Sequence, residues 1–186
     1  MFKKKKDQTY QSYWSISWNI FKKNKVAMVC LFIVILLCLI ALFAPLIAPY
    51  DPNKQVLTDR LMKPCGQHLF GTDDLGRDIF SRIIYGCRVS LSVGIISQII
   101  ATVIGYTMGV CAGYYGGKVD SVISFLIQVF SSFPFLLFAM AIMFVLGPGL
   151  INLYLALGLL GWASTARLIR GDVMRLKKME YIDACK

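Results

Sequence analysis

Charge is scarce in this sequence, and histidine is almost missing. Only 16% of the 186 residues are charged, and His68 is the single histidine. A soluble globular domain carries roughly 25% charge. From Ser121 to Ala166 there is no Asp, Glu, Lys or Arg across 46 residues. A helix or strand that meets water must show it a polar face, so uncharged runs of this length exclude an ordinary soluble domain. The six cysteines include no CxxC pair. With one histidine, nothing supplies the three or four convergent ligands that a zinc site needs. GxSxG, HExxH, the phosphate-binding P-loop and the dinucleotide fingerprint are all missing, so no hydrolytic or nucleotide chemistry is indicated. No catalytic residue, metal or cofactor is expected.

What is present is apolar. Hydrophobic residues make up 57%, and mean hydropathy is +0.64. The formal charge is +10. The basic residues flank apolar runs and do not interleave with aromatics on a polar surface. This pattern points to the anionic inner leaflet of a lipid bilayer rather than to nucleic acid. The first apolar run starts near residue 26 without a small-x-small cleavage site, so it reads as a retained span and not a signal peptide.

Four membrane spans are expected. Residues 1–25 form a basic, aromatic segment. Within it Trp14, Trp18 and Phe21 share one face if the stretch is helical; an interfacial helix and a loose tail are both compatible with it. The first span is residues 26–48, bounded outside by Pro45 and Pro49. A polar connection at 49–88 follows, with a short amphipathic helix expected from near Leu75, capped by Thr72, Asp73 or Asp74. The second span lies within 89–113. The uncharged run from Ser121 would be roughly 69 Å long as one helix, more than twice the hydrocarbon thickness. It is therefore expected to fold back at Gly147-Pro148-Gly149, giving spans at about 121–146 and 150–166, with a kink at Pro134. Gly105, Gly109 and Gly113 recur every four residues and clear one helix face for close approach of another helix. Membrane helices also tolerate glycine without such a role. Cys65 and Cys87 would share the outer side, where a disulfide is open to them. Seven lysines against one acid hold the N-terminus in the cytosol, and four spans return the basic segment 167–186 to the same side.

One stretch is distinctive. HLFGTDDLGRDIFSRIIYGCRVSL, residues 68–91, resembles the hallmark segment of ABC importer permeases for dipeptides, oligopeptides and nickel, of the OppC/DppC type. GYYGGKVD at 113, SSFPFLL at 131, LGPGL at 146 and GWASTARLIRGDVMRL at 161 follow in that family's order. EYIDACK at 180–186 resembles the start of its cytosolic EAA motif. The resemblance implies an all-α, polytopic type I importer permease with six spans, of which four would be present here. The partners it implies are a second homologous permease subunit, two cytosolic ATPases that supply the energy, and an external solute-binding protein. The implied location is the plasma (inner) membrane. Glu180, Ala184 and Cys185 match the ATPase-coupling motif, with Cys185 in place of its second alanine. Gly71, Asp73, Asp74, Gly76, Arg77 and Asp78 belong to the external-loop motif, where tight turns and a salt-bridge and capping network are expected. The resemblance does not separate a peptide from nickel or another small solute. Because the EAA motif is cut at Lys186, a fragment or a non-functional remnant is also among the expectations.

Overall fold

The computed structural model describes residues 13–179. Every regular element in that range is helical: α1 (Tyr13–Lys23), α2 (Lys25–Leu42), α3 (Ala44–Ile47), a single 3-10 turn at Leu57–Asp59, α4 (Ile79–Tyr115), α5 (Gly117–Ser132), α6 (Phe135–Leu146) and α7 (Leu150–Leu176). Two compact units result, Met1–Arg88 and Val89–Lys186.

In the first unit, α2 is a run of apolar residues started by Asn24, whose side chain accepts from the Ala27 N–H at 3.2 Å. Such a cap satisfies one of the orphan N–H groups at a helix start. At 1.5 Å per residue its 18 residues reach about 27 Å, close to the hydrocarbon thickness. Its side chains are largely exposed, Phe32 by 66% and Val29 by 57%, which suits lipid and not water. The expected first span, 26–48, is shorter here. The helix stops at Leu42, and Pro45 opens the separate turn α3, where a missing N–H costs nothing.

The second unit holds the rest of α4 with α5, α6 and α7. Its core is Ala112, Ile123, Ile127, Trp162, Ala163 and Ala166. Phe130 meets Trp162 edge-on with ring centroids 5.4 Å apart, a geometry worth about 0.5–1.5 kcal/mol beyond burial. Asn152 near the start of α7 donates to the carbonyls of Leu146 and Gly147 at 2.8 and 3.1 Å. It thereby satisfies carbonyls that the end of α6 leaves open.

The expected count of four spans is corrected. Two helices are long and apolar enough to cross a membrane, α2 and α4; α5 with α6 makes a third only if that pair, bent by 91°, counts as one span. Two physical reasons account for the difference. The apolar part of α7 runs straight into Arg167, Arg170, Asp172 and Arg175 within the same helix. Pro134 does more than kink a continuous helix: Phe133 is extended, with φ −90° and ψ 138°, so α5 ends and a new helix starts, as the residue before a proline prefers. The expected helix start is corrected as well. Leu75 lies in a turn, and α4 begins at Ile79 behind Asp78, whose Oδ2 accepts from the Ser81 N–H at 2.7 Å. Gly76 at φ 71° breaks any helix before it. Cys65 and Cys87 are both free thiols.

Candidate functional site

The loop between α3 and α4 is organised by three side chains. Asp73 Oδ1 accepts from the N–H groups of Leu75 and Arg77, both at 2.9 Å. Its Oδ2 accepts from Arg77 Nε at 2.7 Å and is ion-paired with Arg82. Partial burial works to raise the Asp73 pKa, but the Arg77 and Leu75 N–H groups and the two guanidiniums outweigh it and hold the carboxyl well below the usual carboxylate range. Thr72 Oγ1 accepts from the Met62 N–H at 2.9 Å and donates to the Asp59 carbonyl. The third side chain is Asp78, which is 3% exposed. It caps α4 and meets His68 Nδ1 at 2.9 Å. Burial pushes its carboxyl upward; the Ser81 N–H and His68 overcome that and leave the pKa lowered. The His68 ring in turn lies 4.9 Å from the Tyr50 ring, and Ser81 Oγ accepts from the Tyr50 N–H at 3.2 Å.

Gly71 and Gly76 sit at φ 74° and 71°. A methyl group at Gly71 would collide with the Met62 carbonyl oxygen, and one at Gly76 with the Val56 carbonyl. Both positions demand glycine for conformation and for space. Asp74 is exposed and enters none of the ion pairs among the described residues.

In the second unit, α4 approaches α7 along its glycines. A methyl at Gly105 would lie 2.7 Å from Thr165 Cβ and 2.7 Å from the Trp162 carbonyl oxygen. One at Gly109 would lie 2.8 Å from the Ala166 oxygen, and one at Gly113 2.7 Å from Val173 Cβ. Polar contacts fasten the far end of α7. Arg170 makes a two-point ion pair with Asp120 of α5, the Nη2–Oδ2 bond being 2.7 Å. Arg167 donates to Ser131 Oγ at 2.8 Å, and Lys177 Nζ to the Tyr114 carbonyl at 2.8 Å.

Glu180, Ala184 and Cys185 lie outside the described residues. Sequence reasoning did not single out His68, Ser81, Asp120 or Arg170 as partners. The signals were faint: one histidine ten residues before an aspartate, and a lone acid and a lone arginine fifty residues apart. Among the described residues no His, Cys, Asp or Glu group could hold a metal ion. The polar groups brought together make capping bonds, ion pairs and turns, an arrangement suited to positioning helices.

Comparison with known proteins assigns the scaffold. Residues 12–64 match the family described as the N-terminal TM domain of oligopeptide transport permease C. Residues 101–186 match the binding-protein-dependent transport system inner membrane component. The chain is 42% identical over 175 residues to the dipeptide transport system permease protein DppC of Bacillus subtilis, covering 94% of this chain and 55% of that one. It is 37% identical over 171 residues to the oligopeptide transport system permease protein OppC of the same organism, covering 92% and 56%. A glutathione transport system permease protein, GsiD of Pectobacterium atrosepticum, is 37% identical over 182 residues, covering 97% and 60%. The chain thus spans somewhat more than half the length of these relatives. They are transport permeases by name, and the second family is an inner-membrane one. With both family patterns matched in order, and these relatives aligned over nearly its whole length, the chain belongs to the OppC/DppC family of multi-spanning ABC-transporter permeases.

Proposed function

We propose that this chain is a membrane-spanning permease subunit of an ABC importer and forms part of the translocation path for dipeptides or oligopeptides. The observation that carries the reading is the pair of family matches in order, together with 42% identity to a dipeptide permease. The relatives' names cover dipeptides, oligopeptides and glutathione, itself a small peptide. Membership of this family implies that the energy comes from two cytosolic ATPases. A second homologous permease subunit and an external solute-binding protein complete the assembly. Residues 1–25 form a cytosolic segment and 49–88 an external loop with an amphipathic helix, with the lysines before α2 holding the N-terminus inside. The glycine face of α4 is a helix-packing surface. Glu180, Ala184 and Cys185, which match the family's coupling motif, contact a groove of the ATPase, where small side chains allow close seating and Glu180 pairs with a basic residue.

The decisive measurement is uptake of a radiolabelled dipeptide and of radioactive nickel in cells lacking the gene and in complemented cells. Loss and recovery of dipeptide uptake is expected. Unchanged dipeptide uptake with a nickel defect would overturn the substrate assignment, and no defect in either would overturn the transport role. Single cysteines test the orientation. Arg60→Cys should react with a membrane-impermeant thiol reagent from outside, and Arg175→Cys only after the membrane is opened.

A further inference from the structure

The helix α1 is amphipathic. Counting 100° per residue, Ile16, Ile20, Phe21, Trp14 and Trp18 fall on one arc, while Ser15, Asn19, Lys22 and Lys23 fall on the other. The apolar arc is open: Trp14 is 82% exposed and Ile20 is 65%. No acid occurs between Tyr13 and Lys25. At the border of the two arcs the Trp18 and Phe21 rings stack at 5.6 Å, and Lys22 Nζ stands 5.4 Å from the centre of the Trp18 ring. Beside them is a hollow of about 540 Å³ lined by Trp14, Ser15, Ser17, Trp18 and Phe21.

The covering partner follows from chain continuity. Only Asn24 separates α1 from α2, and one residue spans at most about 3.6 Å. Since α2 is apolar and long enough to cross the bilayer, the C-terminal end of α1 starts at the membrane surface, and its open apolar arc has lipid within reach. An indole face, an ammonium group over it and an open hollow beside them are the complement of a phospholipid: phosphate at Lys22, glycerol and upper acyl chain against the rings. We propose that the α1 hollow, with Trp18 and Lys22 at its rim, is a binding site for anionic phospholipid in the adjoining leaflet. The Trp18 face holds the Lys22 ammonium at the rim, and the Ser17 hydroxyl supplies a donor to the ester region. The site depends on α2 crossing the bilayer and not on what the protein transports.

The test uses the chain reconstituted in nanodiscs, with indole fluorescence quenched by brominated acyl chains carried on phosphatidylglycerol or on phosphatidylcholine. A Trp14→Phe/Trp18→Phe variant supplies the background from Trp162, which is buried in the core. Brominated phosphatidylglycerol is expected to quench at severalfold lower mole fraction than the neutral lipid. Lys22→Gln should reduce that preference by about fivefold, while quenching by the neutral lipid persists. Lys22→Arg should retain it, and added salt should weaken it. Equal quenching by both lipids in the unaltered chain would overturn the proposal. A preference undiminished in the Lys22→Gln variant would overturn it as well.

Discussion

Replacing Gly105 by alanine probes the contact between α4 and α7 directly. The added methyl would stand 2.7 Å from Thr165 Cβ and 2.7 Å from the Trp162 carbonyl oxygen, against 3.4–4 Å for ordinary contact. One obstacle is backbone, which cannot rotate away, so the two helices must separate locally by roughly half an ångström or more, at the 1–3 kcal/mol typical of overpacking. Alanine also favours the helix over glycine by up to about 1 kcal/mol, which would mask part of this loss. Gly94→Ala removes the ambiguity. Gly94 lies on the same helix with nothing within 4 Å of an added methyl, so it carries the helix gain without the clash. The difference between the two variants is then the packing contribution alone, about 1–3 kcal/mol. Titrating the isolated chain in mixed micelles with SDS, followed by far-ultraviolet circular dichroism, gives both midpoints. Gly94→Ala should match or exceed the unaltered chain, and Gly105→Ala should fall below Gly94→Ala. Coincident midpoints for the two variants would refute close helix approach at Gly105.

Three further outcomes are expected. Gly76→Ala forces an L side chain to φ 71° and into the Val56 carbonyl; it should open the loop and expose residues 56–77 to limited proteolysis, whereas Gly66→Ala, with free space around it, should not. Reversing the α5–α7 ion pair gives a second check. Asp120→Arg alone should destabilise by roughly 1–3 kcal/mol, as for a lost charged hydrogen bond, and adding Arg170→Asp should recover part of it in the same titration. Acid should loosen the external loop. The pKa values of Asp73 and Asp78 are lowered in the folded chain, so the unfolded loop binds more protons and stability rises with pH. That contribution is complete above the ordinary carboxylate pKa near 4 and fades as pH falls through the lower folded values. Exchange of the Leu75, Arg77 and Ser81 amides should accelerate below about pH 4 after correction for intrinsic rates, and Asp73→Asn should show fast Leu75 and Arg77 exchange already at neutral pH.

The sequence made the family legible, because five motifs in fixed order carry more information than any one of them. It made the helical character legible through the length of its apolar runs. Span count was not legible. Apolar composition says that residues 121–146 avoid water, but not that the backbone turns by 91° inside them. Nor does it say that α7 carries four charges within one continuous helix. The start of α4 was misplaced for a local reason: Asp73 and Asp78 are both good caps, and only the left-handed turn at Gly76 decides between them. His68 and Asp78, like Asp120 and Arg170, meet through folding, and spacing along the chain gives no means of matching one to the other.

The elbow between α5 and α6 has a consequence for hydration. Helix ends leave backbone carbonyls and N–H groups without partners in their own helix, and here two such ends, at Ser132 and Phe135, are separated by only two residues. Pro134 has no N–H to offer, and hydrocarbon tails offer neither donor nor acceptor. Neighbouring protein or water has to fill that vacancy. In a stretch of 46 residues without a charge, the elbow is therefore a place where acyl chains are the wrong neighbour and polar protein groups or water the right one.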